Sequence, residues 1–279
     1  MKQEEKEALL EYLVQFSNVE KRFPLFQGVK EPEAVSDFIG IDFERFKQIR
    51  ESFDKMTHEA AQEILKDDEA LRHVEALPFK SGETIAVVGD SITDDRQGWF
   101  QIFCNVLDLA VPKASFRYID ASLADSTSVD SLRRMERYVL SYEPDWIFIA
   151  LGSLDAQRLH LTTGRTLVSL AEFWENLNAI ESAVIKNCSN PPVWITPPPA
   201  ITELMQKMPL HDGILTEDDL AEFREVIAGK SGYVVDPQGK RMGDPPQPWN
   251  YLNDGFHPSL AGNTATVKSV LKTCAIPRK

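Results

Sequence analysis

Thr84-Ile85-Ala86-Val87-Val88-Gly89-Asp90-Ser91-Ile92-Thr93 is the stretch whose reading decides the fold. Thr84 to Val88 are all apolar or β-branched, the pattern of a strand buried on both faces. Gly89 breaks the run, Ser91 follows Asp90, and an amphipathic segment begins near Arg96. Such a strand exposes a hydroxyl at the C-terminal edge of a sheet, where open α/β sheets hold their ligands. Asp and Ser also cap helices, so this stretch alone leaves a purely capping role open.

Outward from it, short apolar runs alternate with helical patterns. Strands are expected at Thr84–Val88, Ser115–Ile119, Asp145–Leu151, Val193–Thr196 and Tyr233–Val235. Helices are expected near Arg96–Leu109, Ser128–Tyr142, Thr166–Asn187, Thr216–Ala228 and Ser259–Lys272. Alternation of this kind predicts an α/β domain with a parallel sheet and helices on both faces. Pro197-Pro198-Pro199 stiffens the exit from the fourth strand. The loop from Ala200 to Gly213 follows, and Met205, Met208, Leu210 and Ile214 either pack down or line a pocket.

Before Thr84 the pattern is helical. Glu4 to Phe16 carries Leu9, Leu10, Leu13 and Phe16 on one helix face. Asp42 is placed to cap a long helix whose apolar stripe is Phe43, Phe46, Ile49, Phe53, Met56, Ala60 and Ile64. Leu77-Pro78-Phe79-Lys80-Ser81-Gly82 is the junction expected between a helical segment, residues 1–80, and the α/β domain, residues 81–279. The first segment is expected to bury its stripe as a cap, a lid or a homodimer contact.

The net charge of −13 argues against nucleic acid as the main partner, because phosphate recognition needs a basic surface. It argues equally against docking on an anionic membrane. The charged start, Met1 to Glu7, lacks the apolar centre of a secretory signal, and no apolar run reaches the length of a membrane span. Cys104, Cys188 and Cys274 show no metal spacing and read as thiols, so a cytoplasmic location is expected.

A serine hydroxyl is a poor nucleophile near neutral pH. It needs a base within hydrogen-bond reach and a third group that fixes the base. Asn253-Asp254-Gly255-Phe256-His257-Pro258 offers both. Gly255 permits a tight path that brings the Asp254 carboxylate to one ring nitrogen of His257 and leaves the other facing outward. Pro258 ends the loop, and Ser259 is placed to cap the last helix.

The chain resembles the GDSL, or SGNH, hydrolase family. Gly89-Asp90-Ser91-Ile92-Thr93 is similar to its first block in sequence and strand position, and Asn253 to Pro258 to its last. The resemblance spans roughly residues 84 to 273 and leaves the helical segment unexplained. It implies a three-layer α/β/α, flavodoxin-like domain with a five-stranded parallel sheet. It also implies hydrolysis of small-molecule acyl esters with no metal or organic cofactor. By the same resemblance Ser91 is the nucleophile, His257 the general base and acid, and Asp254 the residue that orients His257.

Two middle blocks depart from the family pattern. Ala124 stands where a glycine usually offers a backbone N–H to the oxyanion. Gly152-Ser153-Leu154-Asp155 replaces Gly-x-Asn-Asp, so Leu154 occupies the place of the oxyanion-hole Asn and has no side-chain donor. One such donor is worth roughly a hundred- to a thousandfold in rate. The oxyanion hole expected here is therefore Ser91 and Ala124 through their amides, beside Leu154, with Ser153 or Gln157 as substitutes. The main expectation is an esterase acting on short-chain or acetyl esters, carbohydrate esters among them. The alternatives are a binding protein that keeps the pocket without turnover and a flavodoxin-like phosphate or nucleotide binder. The last lacks a glycine-rich phosphate loop.

Overall fold

The strand expected at Thr84 runs to Gly89 and lies near the middle of the sheet. In the computed structural model, which describes residues 3–26, 28, 30–159, 164–207, 213–237 and 242–276, this strand is β1. Arg117–Asp120 (β2), Trp146–Ala150 (β3), Val193–Ile195 (β4) and Tyr233–Val235 (β5) complete a sheet ordered β2-β1-β3-β4-β5. Every pairing is parallel, with Ile85 opposite Tyr118 on one side and Trp146 on the other. The chain thus turns back between β1 and β3, and the crevice at that switch is where Gly89 delivers Ser91.

The helices are Gln3–Phe16 (α1), Val19–Arg22 (α2), Pro32–Ile39 (α3), Phe43–Leu65 (α4), Asp68–Glu75 (α5), Trp99–Ala110 (α6), Ser128–Tyr138 (α7), Leu170–Asn187 (α8), Thr202–Met205 (α9), Glu217–Ala228 (α10) and Leu260–Cys274 (α11). Period-two alternation along the strands divides the core. Ile85, Val87, Trp146, Phe148, Val193 and Val235 face α6 and α11. Ala86, Val88, Ile147, Ile149 and Trp194 face α7, α8 and α10. The result is the α/β/α three-layer arrangement with a five-stranded parallel sheet.

The helical segment before Ser81 contributes to two apolar clusters. Ala60, Ala61, Ile64, Ala70 and Val74 join the core that contains α6 and α11. Val14, Val19, Val35, Ile41, Phe46, Ile49 and Phe53 form a smaller core of their own. Asp42 caps α4 by accepting the Arg45 amide at 3.1 Å. The stripe departs from expectation at Met56, which is 39% exposed and meets Gln97 through its sulfur instead of entering the core.

Other differences have local causes. Ser115 takes a left-handed φ of 53°, so extended backbone begins only at Arg117. Gln97 and Gly98 are held in a turn by Asp95, so α6 starts at Trp99 rather than Arg96. Ser169 accepts the Glu172 amide at 3.2 Å and fixes the start of α8 at Leu170. In the Ala200–Gly213 loop Met205 is buried, whereas Met208 and Leu210 lie outside the described residues.

Candidate active site

Asp90 shapes the end of β1. Its Oδ1 accepts the Ile92 amide at 3.1 Å, and its carbonyl accepts the amides of Thr93 and Asp94 at 3.1 and 2.9 Å. This single tight turn presents Ser91 away from the backbone. Gly89 is required there, because a Cβ would lie 2.5 Å from the Thr93 side chain. α6 begins only at Trp99, so Ser91 is not its cap.

Ser91 faces the loop before α11. His257 Nε2 lies 2.8 Å from Ser91 Oγ, and His257 Nδ1 lies 2.7 Å from Asp254 Oδ2. Asp254 Oδ1 accepts the amides of Phe256 and His257, both at 2.9 Å, so the loop coils around its own carboxylate. Gly255, at φ +68°, passes so near Ile201 O that any side chain would collide. The proline run supports the loop from below: Pro199 O accepts the Tyr251 hydroxyl at 2.6 Å. Ser91, Asp254 and His257 are all buried, which removes water that would weaken these polar contacts.

A cavity of about 560 Å³ opens over Ser91 and His257. Ala124 and Leu154 both line it, as does Gln157. Ser153 lines a separate cavity of about 20 Å³ with Asp90, Thr93 and Thr196. The Ala124 amide already donates to Asp94 Oδ2 at 2.8 Å, which the sequence did not foretell. Asp155, the acid that follows Leu154, is turned away as well. It accepts the Ser128 amide and hydroxyl at 2.9 and 2.5 Å and holds the first turn of α7.

Tyr12 and Phe16, one turn apart on α1, also reach the site. The Tyr12 hydroxyl donates to Asp254 Oδ2 at 3.2 Å, and the Phe16 ring centre is 4.2 Å from that of His257. Three contacts seat α1 and α2 on the loop after Ser91. Gln15 donates to Asp95 at 2.7 Å, Asn18 to Asp94 at 2.9 Å, and Lys21 bridges Asp94 and Asp120 at 2.5 and 2.7 Å. Burial alone would push the Lys21 ammonium toward neutrality, but the Asp120 and Asp94 carboxylates overcome it and raise its pKa. Burial pushes Asp94 up to about 6, and Asp90 and Asp95 to about 7. Of these residues the sequence marked only Phe16, as an apolar helix position, and Asp90, within the Ser91 block. The available signal was Tyr12 and Phe16 at i, i+4 and an Asp pair directly after the Ser91 block.

Solved structures that share the fold include two enzymes. LAE5, an alpha/beta hydrolase enzyme from the metagenome of Lake Arreo, Spain, is 21% identical with a TM-score of 0.56, over 70% of this chain and 96% of that chain. Axe2, an acetylxylan esterase from Geobacillus stearothermophilus, is 20% identical with a TM-score of 0.55, over 71% of this chain and 96% of that chain. No protein of curated function matches the sequence. Among the described residues no helix is long and apolar enough to cross a membrane. Residues 87–265, from the strand that carries Ser91 to the helix after His257, match the family described as GDSL-like Lipase/Acylhydrolase. The chain belongs to that family and is a hydrolase acting on ester bonds.

Proposed function

We propose that Ser91, His257 and Asp254 form the catalytic triad of a serine esterase that removes short acyl groups, acetyl above all, from polyol or carbohydrate alcohols. The observation that carries this reading is the series Ser91 Oγ, His257 Nε2, His257 Nδ1, Asp254 Oδ2, joined at 2.8 and 2.7 Å. With its Nδ1 proton directed to Asp254, His257 is in the tautomer whose Nε2 accepts the Ser91 proton. Ser91 Oγ attacks the ester carbonyl, and His257 takes the proton and returns it to the leaving alcohol. Water, activated by His257 in the same way, then releases the acid from the acyl-enzyme. The Ser91 amide is one donor to the negative oxygen. Ala124 becomes a second by turning its N–H from Asp94 or sharing it.

Phe16, Leu154, Leu159, Leu167 and Phe256 give the cavity apolar walls close to Ser91, which suits a small acyl group. The acetyl preference also draws on the acetylxylan esterase activity in the name of the structurally similar Axe2. A homodimer through the N-terminal helices fits the exposed Phe23, Phe26 and Phe38 on that segment.

Leu154 favours a second reading, a binding protein that keeps the pocket and lacks turnover. A fluorophosphonate probe and a panel of p-nitrophenyl esters and acetylated sugars, with Ser91→Ala as control, separate the two. Labelling at Ser91 with turnover of an acetyl ester is the expected result. Labelling without turnover of any ester favours the binding protein, and no labelling overturns the triad.

A further inference from the structure

The family match begins at residue 87, yet a hydroxyl that reaches Asp254 from outside its own loop comes from residue 12. Asp254 Oδ1 is occupied by two amides of its loop. Asp254 Oδ2 faces His257 Nδ1 at 2.7 Å and the Tyr12 hydroxyl at 3.2 Å. Tyr12 Oη is also 3.4 Å from His257 Nδ1. When that nitrogen carries its proton it has no lone pair to offer, so the phenol directs its own proton to the carboxylate.

The phenol is suited to this one role. Burial and the charge of Asp254, with smaller contributions from Asp125 and Asp95, push its pKa upward, so Tyr12 stays a neutral donor over the working range of an esterase. Those three carboxylates are the charged groups that bear on it, from the Asp254 loop, the loop after β2 and the loop after Ser91. Its place is fixed by neighbours on the same helix. Gln15 is tied to Asp95, the Gln15 carbonyl accepts the Arg96 amide at 3.3 Å, and Phe16 lies across His257. The helix that carries Tyr12 is therefore fastened to the loop that carries Ser91, and its hydroxyl reaches the loop that carries His257.

We propose that Tyr12 is a positioning residue of the relay: its hydroxyl is the second donor to Asp254 Oδ2 and holds that carboxylate in place against His257. The proposal rests on the triad reading. A donor on Oδ2 has two effects. It fixes the carboxylate plane, and it draws charge from the oxygen that stabilises the imidazolium. Without it Asp254 holds the His257 proton more strongly, so a higher pH is needed to free the base.

The experiment is Tyr12→Phe in the full chain, which keeps the ring that packs on Phe16 and removes only the hydroxyl. Expected are a fall in kcat of about tenfold, the size of one hydrogen bond to a charged group, a KM within about twofold, and an acid limb of the kcat/KM profile displaced to higher pH. On an Asp254→Asn background, read with an activated ester, Tyr12→Phe should change nothing further. The low-field proton resonance of His257 Nδ1–H gives a readout that needs no turnover, and it should move in Tyr12→Phe. If wild type hydrolyses no ester and takes no fluorophosphonate, the triad reading fails, while this resonance still reports on Tyr12. An unchanged resonance and pH profile overturn the proposal. So does an equal loss on the Asp254→Asn background, which would show that the hydroxyl acts elsewhere.

Discussion

Asn18 donates to Asp94 twice, to the main-chain oxygen at 2.6 Å and to Oδ1 at 2.9 Å, across a sequence separation of 76 residues. The same carboxylate takes the Lys21 ammonium on Oδ1 and the Ala124 amide on Oδ2. One fully buried side chain thus joins the N-terminal helices, the loop after Ser91 and the loop after β2. The family match does not include the N-terminal partners of this clamp.

Removing that carboxylate leaves the Ala124 amide without its acceptor, Asn18 with only the main-chain oxygen of residue 94, and Lys21 with Asp120 and the Ser122 hydroxyl. Breaking a buried ion pair by deleting one partner costs about 3–5 kcal/mol, and the remaining Asp120 contact places this case at the low end. Asp94→Ala should lower stability by about 3 kcal/mol in urea unfolding. A loss below about 0.5 kcal/mol would mean that the clamp is decorative.

Ser91→Ala and His257→Ala should each reduce kcat by at least about a thousandfold, because members of a triad act as a unit. In wild type the rate on a neutral ester should rise as an imidazole loses its proton, between roughly pH 6 and 8. Steady-state kinetics on an acetyl ester across that range checks both. Near-normal turnover by His257→Ala would remove His257 from the mechanism.

The first and last blocks were legible because each is local. Gly89-Asp90-Ser91 needs only a strand end, and Asp254 to His257 needs only one coiled turn. β1, β3, β4 and β5 were legible because burial demands continuous apolar runs, whereas the edge strand β2, Arg117–Asp120, is only partly buried and carries a charge at each end. Strand ends were not legible, since Ser115 leaves the extended region through a backbone choice that composition does not reveal. The contribution of α1 was also hidden. The sequence pattern marks only the apolar positions Leu9, Leu10, Leu13 and Phe16 of that helix, and the fold alone brings Tyr12 and Gln15 of α1, Asn18 after it and Lys21 of α2 against Asp254, Asp95 and Asp94. The engagement of the Ala124 amide by Asp94 is tertiary in the same sense.

Asp90 gives a stability signature. Burial raises its folded-state pKa to about 7 against the pull of the Ile92 amide, while an unfolded carboxyl stays near its ordinary value of 3.8. Between those values the folded chain holds the extra proton, so stability falls as pH rises through the window and levels off above it. Asp90→Asn keeps the oxygen that takes the Ile92 amide and carries no charge. Its stability relative to wild type should therefore increase from about pH 4 to pH 7 and then stay constant. Urea unfolding at several pH values measures the difference. A difference independent of pH would mean that Asp90 is ionised in the fold throughout.

The last prediction concerns Leu154. It lines the cavity over Ser91, at the sequence position where the family pattern has an Asn that donates to the tetrahedral intermediate. A leucine offers only methyl groups to that negative oxygen. One backbone alternative, the Ala124 amide, already donates to Asp94, so using it costs part of an existing hydrogen bond. Gln157 lines the same cavity, and its main-chain amide donates to the Leu154 carbonyl at 3.1 Å, so its side chain is the polar group to test there. Leu154→Asn should raise kcat on a simple acetyl ester by about tenfold with little change in KM, because the new bond forms only in the transition state. The gain stays below that of a native donor, since the surrounding wall is shaped for an apolar side chain. Gln157→Leu distinguishes the remaining case. If Leu154→Asn leaves kcat unchanged and Gln157→Leu lowers it about a hundredfold, the Gln157 amide already serves the oxyanion. If neither substitution alters kcat in a folded protein, the oxyanion does not face this wall of the cavity, and the charge is carried by the Ser91 and Ala124 amides alone.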